Sequence, residues 1–218
     1  MTNARRRRAV SDEDKSQRRD EIMSAAKRVF ARKGFHATTI GDIAKQAGLA
    51  YGSVYWYFDS KDKLFHALMA VEEEALRNRV AAALAALGEQ ADRGETPFRV
   101  FFETSVQATL EFFEADKATV KLLFRDAYAL GDRFEKHLGG IYERFIDDIE
   151  SFIIAAQDRG EGVAAPPRMV AYTLAALVGQ LAHRRLSTDD GVTAAQVADF
   201  VVGLVLDGLR PRQRANFS

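Results

Sequence analysis

The sequence has no cysteine among its 218 residues, so disulfide bonds and thiolate metal sites are excluded and a reducing compartment is expected. It has no apolar run near the length of about eighteen residues that a spanning helix needs. Its first segment, MTNARRRRAVSDEDKSQRRDE, lacks the apolar stretch of a signal peptide. We therefore expect a cytoplasmic protein without membrane contact.

Proline and strand-like patterns are scarce as well. The four prolines stand where a helix is expected to begin or to have just ended: Pro97, Pro166, Pro167 and Pro211. Val, Ile and Thr never alternate with polar residues over the length of a strand. Apolar residues instead recur every three or four positions, which predicts an all-α protein of about nine helices.

The charge balance is neutral as a whole but uneven along the chain. Residues 1–66 hold 14 Lys and Arg against 8 Asp and Glu, whereas residues 67–218 hold 17 against 23. A basic front and an acidic rear suggest that only the front meets a polyanion such as DNA. Charge alone fits an unevenly solvated surface equally well.

Behind a first helix predicted over Asp14–Lys33, two short helices are joined by the sequence AGLA. A helix-turn-helix needs a small residue where its helices cross and a residue free to adopt positive φ in the turn. It also needs a branched apolar residue that fixes the second helix. Ala44, Gly48 and Val54 fit these roles. In this motif the second helix enters the major groove of DNA.

The second short helix, predicted from Tyr51 to Phe58, is dense in aromatic rings. Helical spacing puts Val54 and Phe58 on one face, which we expect to join the core. Tyr51, Tyr55 and Trp56 are left over, and rings of this size on a surface suggest a binding role. An aromatic dimer patch or a ligand pocket is the alternative to a DNA-binding surface.

The segment GFHATTIGDIAKQAGLAYGSVYWYFDSKDKLFHALM, residues 34–69, resembles the DNA-binding segment of the TetR family of transcriptional regulators. The close match covers Ile22 to Met69, and the rest of the chain agrees with the family only in its helical architecture. The fixed positions of the family pattern are filled by Gly34, Thr38, Thr39, Ile43, Ala44, Ala47, Gly48, Gly52, Ser53, Tyr55, Tyr57, Phe58, Lys61 and Leu64.

The resemblance implies DNA contacts for several of these residues. Residues 50–53 would enter the major groove, while Tyr55 and Trp56 would contact the phosphate backbone. Lys61 would grip phosphate at the start of the fourth helix. Tyrosine hydroxyls and an indole N–H can donate to phosphate oxygens, which supports these roles physically. Thr39 also fits a plain helix cap, and Lys45 also fits a solvated position. The full predicted set is Thr39, Lys45, Ala50, Tyr51, Gly52, Ser53, Tyr55, Trp56, Tyr57 and Lys61.

The run Arg5–Arg8 belongs to a basic arm predicted over residues 1–16, with flexible backbone. Such an arm can be a solubilising tail, or it can reach the minor groove or flanking phosphates. The DNA-binding domain is predicted over residues 17–66. Residues 67–218 are predicted to form a helical ligand-binding and dimerisation domain.

This second domain is rich in phenylalanine, with nine of the fifteen in the chain between Phe98 and Phe152. Most of these rings fit a helical core, but so many flat rings can also leave an apolar cavity. In TetR-like proteins the rear domain holds an inducer whose binding swings the fourth helix and changes the separation of the DNA-reading heads. We expect a hydrophobic effector: an acyl thioester, a lipid or a lipophilic drug. The predicted lining residues are Leu68, Phe102, Val106, Leu123, Phe124, Tyr128, Phe145 and Tyr172.

The last two helices, predicted over residues 167–186 and 193–209, have the pattern of a dimer interface. The first is rich in small residues, and the second carries a broad apolar stripe. With a symmetry mate they would form an isologous four-helix contact, although core helices of a monomer would look similar. A two-fold dimer implies a near-palindromic operator. The predicted interface residues are Ala175, Gly179, Ala182, Val197, Phe200, Val201, Leu204 and Val205.

Signals of catalysis are weak. The four histidines are scattered without metal-ligand spacing, and there is no glycine-rich phosphate loop. Neither a metal nor an organic cofactor is expected. The sequence therefore predicts a homodimeric, ligand-responsive transcriptional repressor that is not an enzyme. The alternatives are an activator of the same family, or an all-helical lipid- or drug-binding protein or small enzyme whose front helices match the pattern by accident.

Overall fold

A computed structural model describes residues 2–88, 98–126, 138–161, 164–188 and 191–208. For residues 2–12 and 124–126 it describes the backbone but not the side chains. Every regular element in the described residues is helical, which confirms the predicted all-α class. A π-helix, Lys121–Asp126, directly follows α6. The α-helices are α1 (Thr2–Lys33), α2 (Ile40–Ala47), α3 (Tyr51–Tyr55), α4 (Lys61–Ala85), α5 (Phe98–Ala115), α6 (Lys117–Val120), α7 (Gly140–Asp158), α8 (Pro167–Arg185) and α9 (Ala194–Asp207).

Two helix bounds in the front of the chain differ from the sequence prediction. α1 begins at Thr2 instead of Asp14, and residues 2–13 contain no proline or glycine that would stop it. The segment predicted as a flexible arm therefore continues the first helix, while the side chains of Arg5–Arg8 lie outside the described residues. α3 ends at Tyr55, and residues 56 and 57 form a turn before α4.

The helices divide into two compact units, and the division falls within α4. The first unit is Met1–Glu73 with Ala118–Ile141, and the second is Glu74–Lys117 with Tyr142–Ser218. The predicted boundary after residue 66 would leave Leu68 out of the front domain. Leu68 is buried in the core of the first unit, because the apolar face of α4 continues past that boundary.

The apolar stripe of α1 forms the centre of the first unit. Ile22, Val29 and Phe30 are completely buried, at the three-to-four spacing of an amphipathic helix. The ring of Phe65 on α4 meets that of Phe30 edge to face, with ring centres 5.2 Å apart. This contact joins α4 to α1 beneath the short helices α2 and α3.

A polar network crosses the same unit beside this core. Glu72 on α4 is 9% exposed and accepts a 2.7 Å hydrogen bond from the ammonium group of Lys27 on α1. Its other carboxylate oxygen accepts a 2.7 Å hydrogen bond from the hydroxyl of Thr119 on α6. One buried carboxylate thus joins three helices, and its charge is balanced by Lys27.

In the second unit, α9 packs along α5, and α8 packs against both. Phe152 of α7 stacks on Phe101, with ring centres 4.7 Å apart, and on Phe98, with ring centres 5.3 Å apart. Among the described residues no helix is both long and apolar enough to cross a membrane. The buried positions of α5 are Phe98, Phe102, Val106, Ala108, Thr109, Leu110 and Phe113.

Candidate nucleic-acid interface

The start of α2 is fixed by a reciprocal cap. The Thr39 hydroxyl accepts a 3.1 Å hydrogen bond from the backbone N–H of Asp42, and the Asp42 carboxylate accepts a 3.0 Å bond from the backbone N–H of Thr39. Lys33 donates to the other carboxylate oxygen at 2.5 Å. This bond, followed by those from Thr39, lowers the pKa of Asp42 from 3.8 to about 2. Thr39 is therefore a cap, and it is also exposed.

The turn between α2 and α3 depends on Gly48. This residue has φ 68° and ψ 29°, and its N–H bonds back to the carbonyls of Ala44 and Lys45. The N–H of Leu49 also bonds to the Ala44 carbonyl at 2.9 Å. This φ confirms the positive value expected from the sequence. Any residue with a side chain would be strained in this left-handed backbone.

Beneath the turn, α2 and α3 are held by a small apolar core. Ile43 and Val54 are completely buried, and Ala44 is 2% exposed. Ala44 is the small residue at the crossing and Val54 fixes α3, as the spacing predicts. The two helices therefore have one defined mutual orientation.

The aromatic rings of residues 51–58 divide into buried and exposed ones as the sequence predicts. Phe58 is 4% exposed, whereas Tyr51 is 59%, Tyr55 is 41% and Trp56 is 90% exposed. Tyr57 is partly buried against the core of the first unit. Three aromatic side chains thus stand together on the surface of the second short helix and the turn after it.

Tyr51 and Tyr55 contact each other on this surface. Their hydroxyl oxygens are 3.1 Å apart, within hydrogen-bond distance, and their rings meet edge to face with centres 5.3 Å apart. The hydrogen bond to Tyr51 raises the pKa of Tyr55 above its usual value of 10.0. A protonated Tyr55 hydroxyl has one hydrogen bond to donate, either to Tyr51 or to an outside acceptor.

The ammonium group of partly exposed Lys61, for which the resemblance implied a phosphate contact, is hydrogen-bonded within the chain. The group donates to the backbone carbonyl oxygens of Phe35 at 2.8 Å, Thr38 at 2.9 Å and His36 at 3.3 Å. It also lies 4.5 Å from the centre of the Phe35 ring. These bonds use the three donors of an ammonium group, so Lys61 ties α4 to the α1–α2 connection.

The remaining predicted DNA contacts lie on the surface or at its edge. Lys45, Ala50 and Gly52 are exposed, and Ser53 is partly buried. A further cation, which the sequence interpretation missed, is exposed Arg19 of α1, whose guanidinium lies 5.0 Å from the centre of the Phe58 ring. Its position three residues before Ile22 on the same helix face is the signal that could have found it.

The predicted effector-pocket residues fall into both units, so the set stays a prediction. In the first unit, Leu68 is buried and Leu123 is partly buried against the same core. The side chain of Phe124 and all of Tyr128 lie outside the described residues. In the second unit, Phe102 and Val106 are buried, Phe145 is partly buried and Tyr172 donates a 3.0 Å hydrogen bond to Glu143.

The predicted dimer residues also divide by burial. Phe200 is 55% exposed, and Ala175, Leu204 and Val205 are partly exposed. The other four are buried in the protomer: Gly179, Ala182, Val197 and Val201. The interface set stays a prediction. Met169, 63% exposed, and Tyr172, 37% exposed, share a face of α8 that was not predicted.

The described residues contain no group of His, Asp and Glu side chains that could hold a metal ion. What they do contain is a short capped helix, a glycine turn and a second short helix with an exposed aromatic surface. This arrangement defines the class of helix-turn-helix proteins. Residues 22–68 match the family model described as bacterial regulatory proteins, tetR family, which assigns this segment to the DNA-binding part of that family.

Curated relatives agree with this assignment. The HTH-type regulator YfiR of Bacillus subtilis is 42% identical over 69 residues, which cover 31% of this chain and only 34% of YfiR. The HTH-type transcriptional activator FasR of Mycolicibacterium smegmatis is 28% identical over 195 residues, which cover 89% of this chain and 84% of FasR. The matched family and these relatives are transcriptional regulators, which agrees with the prediction that the chain is not an enzyme.

A solved structure extends the likeness of fold to both units. The FadR regulator from Bacillus subtilis, in complex with stearoyl-CoA, superposes with a TM-score of 0.72. The superposition covers 87% of this chain and 98% of FadR, at 16% sequence identity. At this identity the likeness concerns the fold and not the ligand.

Proposed function

We propose that the protein is a homodimeric transcriptional repressor of the bacterial cytoplasm that binds a near-palindromic operator and leaves it when a hydrophobic effector binds. The observation that carries the proposal is the exposed aromatic surface of the helix-turn-helix, formed by Tyr51, Tyr55 and Trp56. Large rings rarely stay exposed without a partner, and here they occupy the helix that enters DNA in this motif.

Each part of this surface has a proposed DNA contact. The first residues of α3 face base edges, because the N-terminal part of a recognition helix enters the groove. Tyr51 and Ser53 supply polar groups there, and Ala50 and Gly52 allow close approach. Tyr55 and Trp56, which follow, donate to phosphate oxygens. The exposed cap residue Thr39 and the exposed Lys45 are proposed as further phosphate contacts.

Lys61 is left out of this proposed contact set. A phosphate contact would require its ammonium group to leave two carbonyl oxygens at 2.8 and 2.9 Å. Arg19 takes its place as a proposed backbone contact, because its charge is exposed beside Phe58 at the end of the α3 segment. Arginine suits a phosphate contact through its planar, forked donors.

Dimerisation is proposed through the exposed apolar surface of α8 and α9. Phe200 is the largest apolar side chain that this surface offers. A two-fold contact would bury it against a symmetry mate and present two copies of α3 to one face of DNA. The half-sites would then lie about one helical turn, or slightly more, apart.

The proposed effector is an acyl thioester or another lipid, bound in the second unit. Support comes from the phenylalanine-rich packing of that unit and from the FadR structure of the same fold, which holds stearoyl-CoA. Phe102, Val106 and Phe145 are the proposed apolar contacts. An activator is the second candidate, because FasR, a curated relative matched along most of the chain, is named a transcriptional activator.

The test is recovery of binding sites from sheared genomic DNA of the source organism, followed by gel shifts on the recovered fragments with and without stearoyl-CoA. We expect the recovered fragments to share a palindrome. Stearoyl-CoA should release the protein from these fragments, whereas coenzyme A alone should not. Recovery of no specific fragment at moderate salt would sink the proposal. A reporter joined to the recovered promoter separates repression from activation, since deleting the gene raises expression in the first case and lowers it in the second.

A further inference from the structure

The hydroxyl groups of Tyr51 and Tyr55 share one hydrogen bond. Their oxygens are 3.1 Å apart, and either can be the donor. Two phenol groups carry two protons, and the shared bond uses one of them. The pair therefore has one O–H left to give to DNA, and the hydroxyl whose proton lies in the shared bond can only accept.

The ring of Tyr51 has neighbours on two sides. Tyr51 and Tyr55 are one helical turn apart, and their rings meet edge to face at 5.3 Å. On the other side, a Cβ atom at Gly41 would lie 3.7 Å from ring carbon Cδ2 of Tyr51, so the ring lies close to the first turn of α2. These neighbours restrict the orientations of Tyr51 before it meets DNA.

We propose that Tyr51 and Tyr55 read DNA as one unit in which Tyr55 donates to phosphate and Tyr51 faces the bases as a hydrogen-bond acceptor only. The proposal rests on the DNA-binding function proposed above. Phosphate oxygens carry no proton, so a phosphate contact consumes the one free O–H of the pair. Tyr51, at the start of α3, must then donate its own proton to Tyr55.

This bond direction determines which bases Tyr51 accepts. In the major groove the amino groups N6 of adenine and N4 of cytosine are donors, whereas O6 and N7 of guanine and O4 of thymine are acceptors. An acceptor-only hydroxyl pairs with the amino groups and is repelled by the carbonyl oxygens. Tyr51 therefore selects adenine or cytosine at one position of each half-site on the strand that it faces.

The test is selection of binding sites from a randomised DNA library by the full-length wild-type protein, Tyr51→Phe and Tyr55→Phe. Both side chains are exposed, and matched thermal melting of the three proteins checks that each is folded. We expect wild type to prefer adenine or cytosine at one position by at least about fivefold. Tyr51→Phe erases the preference at that position. Tyr55→Phe binds more weakly and accepts all four bases there, because Tyr51 regains a proton that it can donate.

A base analogue provides a second measurement. If adenine is selected, replacing it with purine, which lacks the N6 amino group, should remove the preference in wild type and leave Tyr51→Phe unaffected. The proposal is overturned if Tyr51→Phe erases a preference for guanine or thymine, if it erases none, or if Tyr55→Phe leaves the preference unchanged. In each of these outcomes the protein still selects DNA, so the proposed function stands. Failure of wild type to retain any sequence would overturn both.

Discussion

The ammonium group of Lys61 donates a 2.8 Å hydrogen bond to the carbonyl oxygen of Phe35 and lies 4.5 Å from the centre of its ring. The start of α4 is thereby fastened to the connection between α1 and α2. This connection leads into the capped start of α2, so the positions of α2 and α3, the helices proposed to contact DNA, depend on Lys61.

Replacing Lys61 with methionine should lower the free energy of unfolding by about 2 kcal/mol, because charge-assisted hydrogen bonds to buried carbonyls are lost. The measurement is urea unfolding. Lys63→Met is the matched control, since Lys63 is exposed and pairs with exposed Asp59, and we expect a change within about 0.5 kcal/mol. The dependence of DNA affinity on salt should not change in Lys61→Met. A slope reduced by about one, with stability unchanged, would restore the phosphate role.

Replacing Glu72 with glutamine should lower the free energy of unfolding by about 3 kcal/mol, because the largely buried ion pair between Glu72 and Lys27 is lost. Glutamine keeps the size of the side chain and an acceptor for Thr119. Glu21→Gln is the control, since its ion pair with Arg18 on α1 is exposed and should be worth less than about 1 kcal/mol. Equal effects of the two variants on urea unfolding would contradict the role of the network.

The cap of α2 should make stability depend on pH in acid. The pKa of Asp42 is lowered to about 2 in the folded chain. The unfolded chain therefore takes up this proton at higher pH, so the stabilisation is complete above the ordinary value of 3.8 and is lost as the pH falls through about 2. The difference in melting temperature between wild type and Asp42→Asn should shrink over this window. A difference that stays constant would show that the carboxylate titrates normally.

Direct titration of the Asp42 carboxyl by NMR provides the control for this prediction. Lys33→Met removes the donor that contributes most to the shift. The pKa of Asp42 should then move back toward 3.8, while the bonds from Thr39 keep part of the effect. An unchanged titration in this variant would assign the shift to the cap alone.

Phe200→Glu should convert the proposed dimer to monomers, because it replaces the largest apolar side chain of the proposed α8 and α9 interface with a charged one. Sedimentation equilibrium measures the change. DNA affinity should fall as well, since one protomer engages one half-site. Ile154→Glu on α7 is the control, since Ile154 is also an exposed apolar residue, at 43%, outside the proposed surface. Dimers that persist in Phe200→Glu would place the interface elsewhere.

Local spacing was enough to predict the helix-turn-helix. The roles of Ala44, Gly48 and Val54 depend on neighbours within about ten residues, and helical periodicity separated buried Phe58 from the exposed rings. The internal role of Lys61 could not be predicted in this way. Its acceptors lie 23 to 26 residues earlier in the chain, and the direction of a long, flexible side chain follows from tertiary packing.

The same limit applies to the network of Glu72. Lys27 is 45 residues before Glu72 and Thr119 is 47 after it, and periodicity carries no information about such pairs. In α9, the apolar stripe was recognised, but the sequence could not divide it between the core of the protomer and a partner. In the protomer Val197 and Val201 are buried and Phe200 is exposed.

Trp56 offers the most direct test of the claim that the α3 surface binds DNA. It is the only tryptophan in the chain and is 90% exposed, so its fluorescence reports on this surface alone. Titration with labelled DNA recovered from the genome should change Trp56 emission in step with the anisotropy of the label, and added salt should reverse both signals. Anisotropy that rises to saturation while Trp56 emission stays constant would contradict the account, because the DNA would then bind another surface.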